Sequence, residues 1–214
     1  MTLRFDCSDP SARTEGLKEA AAAVRQGRLV VVPTDTVYGV GADAFDPAAV
    51  AGLLAAKGRG RQKPSPVLVD SPEALHGLTE ELPDAARALI DAFWPGGLTL
   101  VVRHRTSLAW DLGETAGTVA IRMPDHPLTL DLLAATGPLA VSSANLTDRP
   151  SPQDCDAAQG MLGDSVAVYL DGGPTAGPVS SSIVDLSGEA PVLVRDGVLS
   201  ADRLRTVVPD LIVP

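Results

Sequence analysis

The chain has 214 residues, of which 45% are hydrophobic and 3% aromatic, and its formal net charge is −10. This length fits one large domain or two small ones, with a sizeable core built mainly from Val, Leu and Ala. The acidic balance disfavours broad nucleic-acid binding, which needs an excess of Lys and Arg. The two cysteines have neither metal-ligand spacing nor the pattern of a disulfide framework.

The same composition favours a cytoplasmic protein. Free cysteines suit a reducing compartment, and Arg4 and Asp6 stand where a secretory signal would be apolar. No apolar run reaches the roughly 18 residues of a membrane span. We therefore expect no membrane contact.

Helix and strand signals alternate along the chain. Leu17, Ala20, Ala21 and Val24 have the spacing of one helix face, and the β-branched run at 29–32 is typical of a strand covered on both sides. A cap at Asp46-Pro47 then predicts a helix to about residue 57. Further along, we expect a strand at 66–69, helices from 71 and at 84–93, strands at 98–103 and 118–122, a helix at 128–135, a strand at 139–141, a helix at 156–162, strands at 166–170, 182–186 and 192–195, and a last helix at 201–206.

Because strands both alternate with helices and occur in pairs, the pattern predicts a mixed, twisted sheet with helices packed on it. Four polar segments stand at the ends of apolar runs and together suggest a pocket for an anionic nucleotide. Hydroxyl, amide, lysine and arginine groups are those that hold phosphates and carboxylates. The segments are 33–39, Lys57-Gly58-Arg59, Ser142-Ser143-Ala144-Asn145, and Ser180-Ser181-Ser182 followed by Arg195.

Each segment also has a structural interpretation that the residues alone leave open. Thr and Asp at 34–36 are favoured in ordinary turns, and a hydroxyl-rich turn at 142–145 needs no ligand. Lys57 and Arg59 can complement the dipole of the preceding helix. Arg122 and Arg195 end apolar strands, where a buried charge needs an anionic partner. That partner is either a structural Asp or a ligand carboxylate.

In combination and in order, these segments resemble the motifs of the YrdC-type threonylcarbamoyl-AMP synthases. The resemblance covers about residues 13 to 205. It implies a single catalytic domain over 1–214, with an α/β fold whose twisted, open, mixed sheet and flanking helices surround a large concave cavity. The matching stretches are 33–40, 57–59, 94–99, 118–122 with His126-Pro127, 143–145 and 181–185.

The resemblance also implies a reaction. L-threonine, bicarbonate or CO₂, and ATP with Mg²⁺ would give L-threonylcarbamoyl-AMP and pyrophosphate, and downstream transfer proteins would use the product to modify a tRNA adenosine. Two alternatives remain. One is a paralogue that handles carbamoyl-adenylate, and the other is a non-catalytic RNA-binding module. The charge of −10 disfavours the latter, so we expect weak or absent nucleic-acid binding.

Site residues follow from the resemblance position by position. The threonine site would comprise Thr34, Arg122, Val141 and Ser181, with Arg122 on the carboxylate. The ATP site would comprise Lys57, Arg59, Thr118, Ser143, Asn145, Ser151 and Arg195. Lys57 and Arg59, expected in a solvated loop, would grip the triphosphate and act catalytically, and no resident metal is expected. Gly60 stands where the family often has Pro, which leaves the contacts of the longer 60–66 loop open.

Overall fold

The apolar runs of the sequence form the ten strands of one sheet in a computed structural model that describes residues 1–214. The strands are β1 (Leu3–Asp6), β2 (Val30–Val32), β3 (Gly39–Asp43), β4 (Val67–Leu68), β5 (Leu98–Arg103), β6 (Thr118–Arg122), β7 (Leu139–Ser143), β8 (Val168–Asp171), β9 (Ser182–Asp185) and β10 (Val192–Arg195). The helices are α1 (Pro10–Arg25), α2 (Pro47–Lys57), α3 (Leu75–Leu78), α4 (Asp84–Phe93), α5 (Pro127–Thr136), α6 (Cys155–Leu162) and α7 (Ala201–Arg205). None of these helices is both long and apolar enough to span a membrane.

The strand order is β1-β8-β2-β3-β7-β4-β6-β5-β9-β10. The pairs β1–β8, β8–β2, β4–β6 and β5–β9 are parallel, and the other neighbouring pairs are antiparallel. The predicted mixed α/β sheet is therefore confirmed. Strands from the beginning and end of the chain lie side by side in it, so residues far apart in sequence meet at the same edge.

Strand β2 is covered on both faces, as its run of valines predicts. Its three residues are fully buried. Val30 and Val32 pack in one cluster with residues of α1 and α5, whereas Val31 packs in another with residues of α2 and α6. Helices on both sides thus fix the strand from which the 33–38 loop leaves.

The other half of the sheet has one half-buried face. In β5 and β6, Leu98, Leu100 and Ile121 pack into the largest core cluster, together with residues of α4. Successive side chains of a strand point to opposite faces, so Val101 and Ala120, which pair across the two strands, lie on the other face. Both are only partly buried. Thr118 and Arg122 alternate with the core residues of β6 and therefore lie on the same face as Ala120.

Four elements differ from the sequence predictions. β1 and β3 were not expected, and the helix expected from residue 71 is a 3₁₀ turn followed by the single-turn α3. β7 continues through Ser142 and Ser143, which were predicted to lie in a turn. The reason is pairing with β3, where Ser143 lies opposite Gly39 and Ser142 opposite Val40.

Candidate active site

The 33–38 loop joins β2 to β3 and closes on itself through Thr34. The Thr34 Oγ1 donates to the carbonyl of Val37 at 2.7 Å and accepts from the backbone N–H groups of Thr36 and Val37, each at 3.2 Å. Thr34 is buried. The segment therefore forms a hydrogen-bonded turn, as its Thr and Asp residues allow, and the expected contact of Thr34 with threonine stays a prediction.

Arg122 extends from the end of β6 to this loop. Its Nη2 donates to Asp35 Oδ1 at 2.5 Å, its Nη1 to Thr36 Oγ1 at 2.9 Å, and its Nε to the Gly96 carbonyl at 2.9 Å. Arg122 is only 6% exposed, and burial lowers the pKa of its guanidinium while the Asp35 carboxylate opposes that shift. The partner of this arginine is thus a structural aspartate, and two of its five N–H groups remain outside these bonds.

Ser181 and Arg195 contact each other directly, although the first was predicted to bind threonine and the second ATP. Arg195 donates through Nε to the Ser181 carbonyl at 2.8 Å and through Nη2 to Ser181 Oγ at 2.9 Å. Thr99 Oγ1 lies 2.8 Å from the same hydroxyl. Thr99 was not predicted as a site residue, although it closes the 94–99 motif. The two predicted subsites therefore adjoin at Ser181.

Lys57 does not lie in a solvated loop, which corrects that prediction. It is the last residue of α2, 2% exposed, and its Nζ donates to the carbonyls of Ser143 and Asn145. Gly58 follows with a left-handed φ of 61°, which ends the helix and turns the chain away from Lys57. Burial, with a further contribution from the charge of Arg59, lowers the pKa of Lys57 to about 8.

Arg59 is half-buried rather than solvated, and it faces the end of β7. Its Nη1 donates to Ser142 Oγ at 2.9 Å. Its Nε donates to the carbonyl of Lys63 at 2.7 Å and its Nη2 to that of Pro64 at 3.2 Å. Burial lowers the pKa of this guanidinium. All three acceptors are neutral, so the positive charge of Arg59 has no carboxylate partner.

Asn145 follows the end of β7 and organises the turn after it. Its Nδ2 donates to the carbonyls of Leu146 and Arg149 at 2.7 and 2.8 Å. Its Oδ1 is buried and accepts no hydrogen bond. Such an acceptor is costly to leave unpaired. The side chain therefore supports the loop and presents one free acceptor beside Ser143, whose carbonyl holds Lys57.

Three predicted residues make fewer contacts with this cluster. Thr118 opens β6, at the opposite end from Arg122, and its hydroxyl donates to its own turn at Thr115. Ser151 is half-buried, with no hydrogen bond from its hydroxyl. Val141 is buried and packs against β3, where a Cβ added to Gly39 would lie 2.6 Å from its Cγ1. Gly39 thus allows the close packing of β3 against Val141 of β7.

Positive charge is concentrated at this cluster. Burial lowers the pKa of Arg195, and the charges of Arg122 and Arg59 act in the same direction, so the fields of the three guanidinium groups overlap. None of the six ion pairs of the chain involves Lys57, Arg59 or Arg195. In a chain of net charge −10, these partly desolvated cations form a site suited to a polyanion.

One depression of the surface lies apart from this cluster. A depression of about 620 Å³ lies between the ends of α1 and α2 and the residues before β8, with Gly27, Leu29 and Val166 in its lining. It contains no predicted site residue, and small side chains line much of it. The charge and hydrogen bonding of the cluster define the candidate site, and the size of the expected concave cavity stays a prediction.

The open mixed sheet with its helices makes this an α/β protein. Its cluster of cations, most of which have no carboxylate partner, makes a site suited to an anionic ligand. The chain belongs to the Sua5, YciO and YrdC family, because the family model, described as telomere recombination, matches residues 22–197. This result confirms the resemblance seen in the sequence motifs.

Relatives span the full chain. A Mycobacterium tuberculosis protein is 54% identical over 208 residues, which are 97% of this chain and 96% of that protein. The Bacillus subtilis threonylcarbamoyl-AMP synthase is 40% identical over 97% of this chain and 59% of its own length. The solved structure of Pyrococcus abyssi Sua5 complexed with L-threonine is 33% identical, with a TM-score of 0.90 over 100% of this chain and 62% of that chain. This chain therefore spans about three fifths of each of the last two proteins.

Proposed function

We propose that this protein is an L-threonylcarbamoyl-AMP synthase, a nucleotidyltransferase in which residues 1–214 form one catalytic domain. One observation carries the proposal. Lys57, Arg59 and Arg195 are cations without carboxylate partners, and the charges of Arg59 and of Arg122, which pairs with Asp35, both act on Arg195. An anionic nucleotide and an amino acid carboxylate would neutralise the two halves of this cluster. The synthases of B. subtilis and P. abyssi among its relatives support this assignment.

Threonine would bind on the side of Arg122. Two N–H groups of this guanidinium lie outside its present bonds, so a carboxylate can add to the Asp35 pair or replace it. The hydroxyl of Thr34 lies 3.0 Å from that of Thr36, which accepts from Arg122, and the hydroxyl of Ser181 accepts from Arg195. The side chain of Val141 would provide the apolar wall. The complex of P. abyssi Sua5 with L-threonine is the support for this ligand.

ATP would bind on the side of Lys57, Arg59 and Arg195. Guanidinium groups hold phosphate oxygens in a fork, and an ammonium group acts as a point charge. Thr118, Ser143, Asn145 and Ser151 would contact the remainder of the nucleotide, and the unpaired Oδ1 of Asn145 offers an acceptor for an N–H or hydroxyl donor.

The proposed reaction has two bond-forming steps. The threonine amine attacks the carbon of CO₂, or of bicarbonate with loss of water, and gives a carbamate as the nitrogen loses a proton. A carbamate oxygen then attacks the α-phosphorus of ATP, and the bond from that phosphorus to the bridging oxygen breaks to release pyrophosphate. No protein nucleophile is needed. The chain would contribute orientation of the reactants and fixed positive charge at the phosphates.

Magnesium would enter with ATP, as part of the substrate. The chain has no group of three or more His, Cys, Asp and Glu side chains that could hold a metal ion. Phosphate oxygens and water are the usual ligands of nucleotide-bound Mg²⁺. We further propose a cytoplasmic protein whose product passes to proteins that transfer the threonylcarbamoyl group to tRNA, with weak or absent direct binding to nucleic acid.

Substrate dependence of pyrophosphate release tests this function. We expect release only when threonine, bicarbonate and ATP are all present, and much less with valine. A site that hydrogen-bonds a hydroxyl rejects the analogue lacking it by a large factor. Equal release with threonine and valine would contradict the proposal. Release that needs carbamoyl phosphate instead of threonine would favour a paralogue that handles carbamoyl-adenylate.

A further inference from the structure

The loop after Arg59 is tied to a second loop by an ion pair. Arg61 donates through Nη1 to Asp111 Oδ2 at 3.0 Å and through Nη2 to Asp111 Oδ1 at 2.8 Å. The carbonyl of Arg61 also accepts from the backbone N–H of Glu114 at 2.9 Å. Both side-chain and main-chain bonds therefore join the 58–65 loop to the 111–114 segment between β5 and β6.

Further contacts hold the same two segments together. The N–H of Ser65 donates to the carbonyl of Leu112 at 3.2 Å. Gly113 has a φ of +111°, and a Cβ added there would lie 2.7 Å from the carbonyl oxygen of Arg61. Only glycine permits this conformation and this approach at low cost. The 58–65 loop is thus docked along the 111–114 segment at Arg61 and at Ser65.

The docked loop determines where the guanidinium of Arg59 lies. Two of the three acceptors of Arg59 are the carbonyls of Lys63 and Pro64, which belong to the docked stretch between Arg61 and Ser65. A shift of this stretch moves these carbonyls. The third acceptor, Ser142 Oγ, lies on β7 and stays in place. The orientation of Arg59 therefore depends on contacts that the 111–114 segment makes with the loop.

We propose that the Arg61–Asp111 ion pair is a latch that orients Arg59 for binding the triphosphate. Arg61 and Asp111 are positioning residues, because their side chains bond to each other and to the main chain of Gly113 but to no predicted site residue. This inference rests on the proposed function, in which Arg59 binds ATP. Through this ion pair, the 58–65 loop affects the affinity of the site for the nucleotide.

A purely structural ion pair would behave differently. The side chains of Arg61 and Asp111 are 56% and 42% exposed, and such pairs contribute little to stability. The latch and a general electrostatic effect also predict changes of opposite sign in the ATP affinity of Asp111→Asn. Loss of a negative charge near the nucleotide site would strengthen ATP binding, whereas loss of the latch would weaken it. The sign of the change in affinity therefore separates the two explanations.

The test is a double-mutant cycle with Arg61→Gln, Asp111→Asn and the double variant in the full chain. Asn at 111 retains an oxygen for the N–H of Gly113, so only the ion pair is removed. Calorimetric titration with Mg-ATP should show that the dissociation constant rises about threefold in each single variant. This effect is smaller than the loss of about tenfold or more expected when the charge-assisted contacts of Arg59 are removed altogether, because Arg59 itself is retained. The double variant should be no worse than the singles. Threonine affinity and melting temperature should not change.

Asp131→Asn is the matched control, because Arg13 and Asp131 form a similarly exposed pair at 2.6 Å between α1 and α5. We expect it to leave ATP affinity unchanged. Unchanged or stronger ATP binding by Asp111→Asn, or additive losses in the double variant, would overturn the latch while the wild-type chain still makes the adenylate. Failure of the wild-type chain to bind ATP would overturn the proposed function, and the latch with it.

Discussion

At the scale of single residues, two arginines divide the candidate site. Arg122 is buried against Asp35, Thr36 and the Gly96 carbonyl, whereas Arg195 is held by Ser181 alone. Arg122 is the last residue of β6 and Arg195 the last residue of β10, yet only Arg122 has a carboxylate partner. The proposed assignment of threonine to Arg122 and ATP to Arg195 therefore predicts different defects for the same substitution.

Arg122→Lys should raise the threonine concentration needed for half-maximal rate by about tenfold or more, because a point charge cannot reproduce two charge-assisted bonds. Arg195→Lys should chiefly raise the ATP requirement. Steady-state kinetics with each substrate varied in turn will measure both effects. Lysine is preferable to alanine here because Arg122→Ala would leave Asp35 without its cation. Equal losses for both substrates in both folded variants would refute the residue assignments.

Lys57 should make nucleotide binding depend on pH. Burial lowers the pKa of Lys57 to about 8, and a bound triphosphate would favour its charged form and raise that pKa again. Binding of ATP at pH 8 should then be accompanied by uptake of about half a proton at this group, and affinity should fall as the pH rises above 8. Calorimetry in buffers of different ionisation enthalpy measures the uptake, with Lys57→Met as the variant that should lose it. Identical uptake in both proteins would exclude Lys57 as its source.

At the scale of elements, the packing of β3 against β7 sets the position of the polar loops on both sides. Gly39 lies opposite Ser143, and its missing side chain accommodates Val141. The 33–38 loop enters β3 at Gly39, and the turn with Asn145 leaves β7 after Ser143. The separation of these two strands therefore controls how close the two loops lie.

Gly39→Ala should destabilise the fold by about 1–3 kcal/mol, since overpacking in a close-packed core costs this much. Adding Val141→Ala should recover part of that loss, because it removes the Cγ1 atom that the new Cβ would meet at 2.6 Å. Urea denaturation of the two single variants and the double variant gives the coupling. Strict additivity of the two changes in unfolding free energy would show that the two side chains do not interact.

Elements with local signals were predictable from the sequence. α2 begins at the Asp46-Pro47 cap, and α4, β5, β6 and β10 have the expected bounds. β1 and β3 were missed because their formation depends on partners distant in sequence. β1 pairs with β8, near the other end of the chain. β3 contains two glycines, which weaken its intrinsic strand signal and are explained only by the side chain of Val141.

Motifs likewise identified candidate site residues but not their contacts. The pairing of Asp35 with Arg122 spans 87 positions, and that of Arg59 with Ser142 spans 83. Residue types predict that an arginine at a strand end needs a partner, but topology selects which one. The burial of Lys57 also depended on tertiary structure, because the carbonyls that hold it come from β7 and the turn after it.

At the scale of the whole molecule, an acidic chain concentrates cations without carboxylate partners at one region of its sheet. The net charge of the chain is −10, while Lys57, Arg59 and Arg195 have no carboxylate partner. Every predicted site residue lies between Thr34 and Arg195, within a fold that matches P. abyssi Sua5 over the full length of this chain. We therefore expect the 214-residue chain to complete the proposed reaction by itself.

The most direct test is to identify the product by mass spectrometry. The chain would be incubated with Mg-ATP, L-threonine and ¹³C-bicarbonate, and the nucleotides analysed before the adenylate hydrolyses. We predict an adenylate whose mass fits threonylcarbamoyl-AMP, with one ¹³C atom from bicarbonate, formed together with pyrophosphate. Omitting threonine should abolish it. An adenylate without the label, or ATP conversion to ADP and phosphate alone under these conditions, would contradict the account.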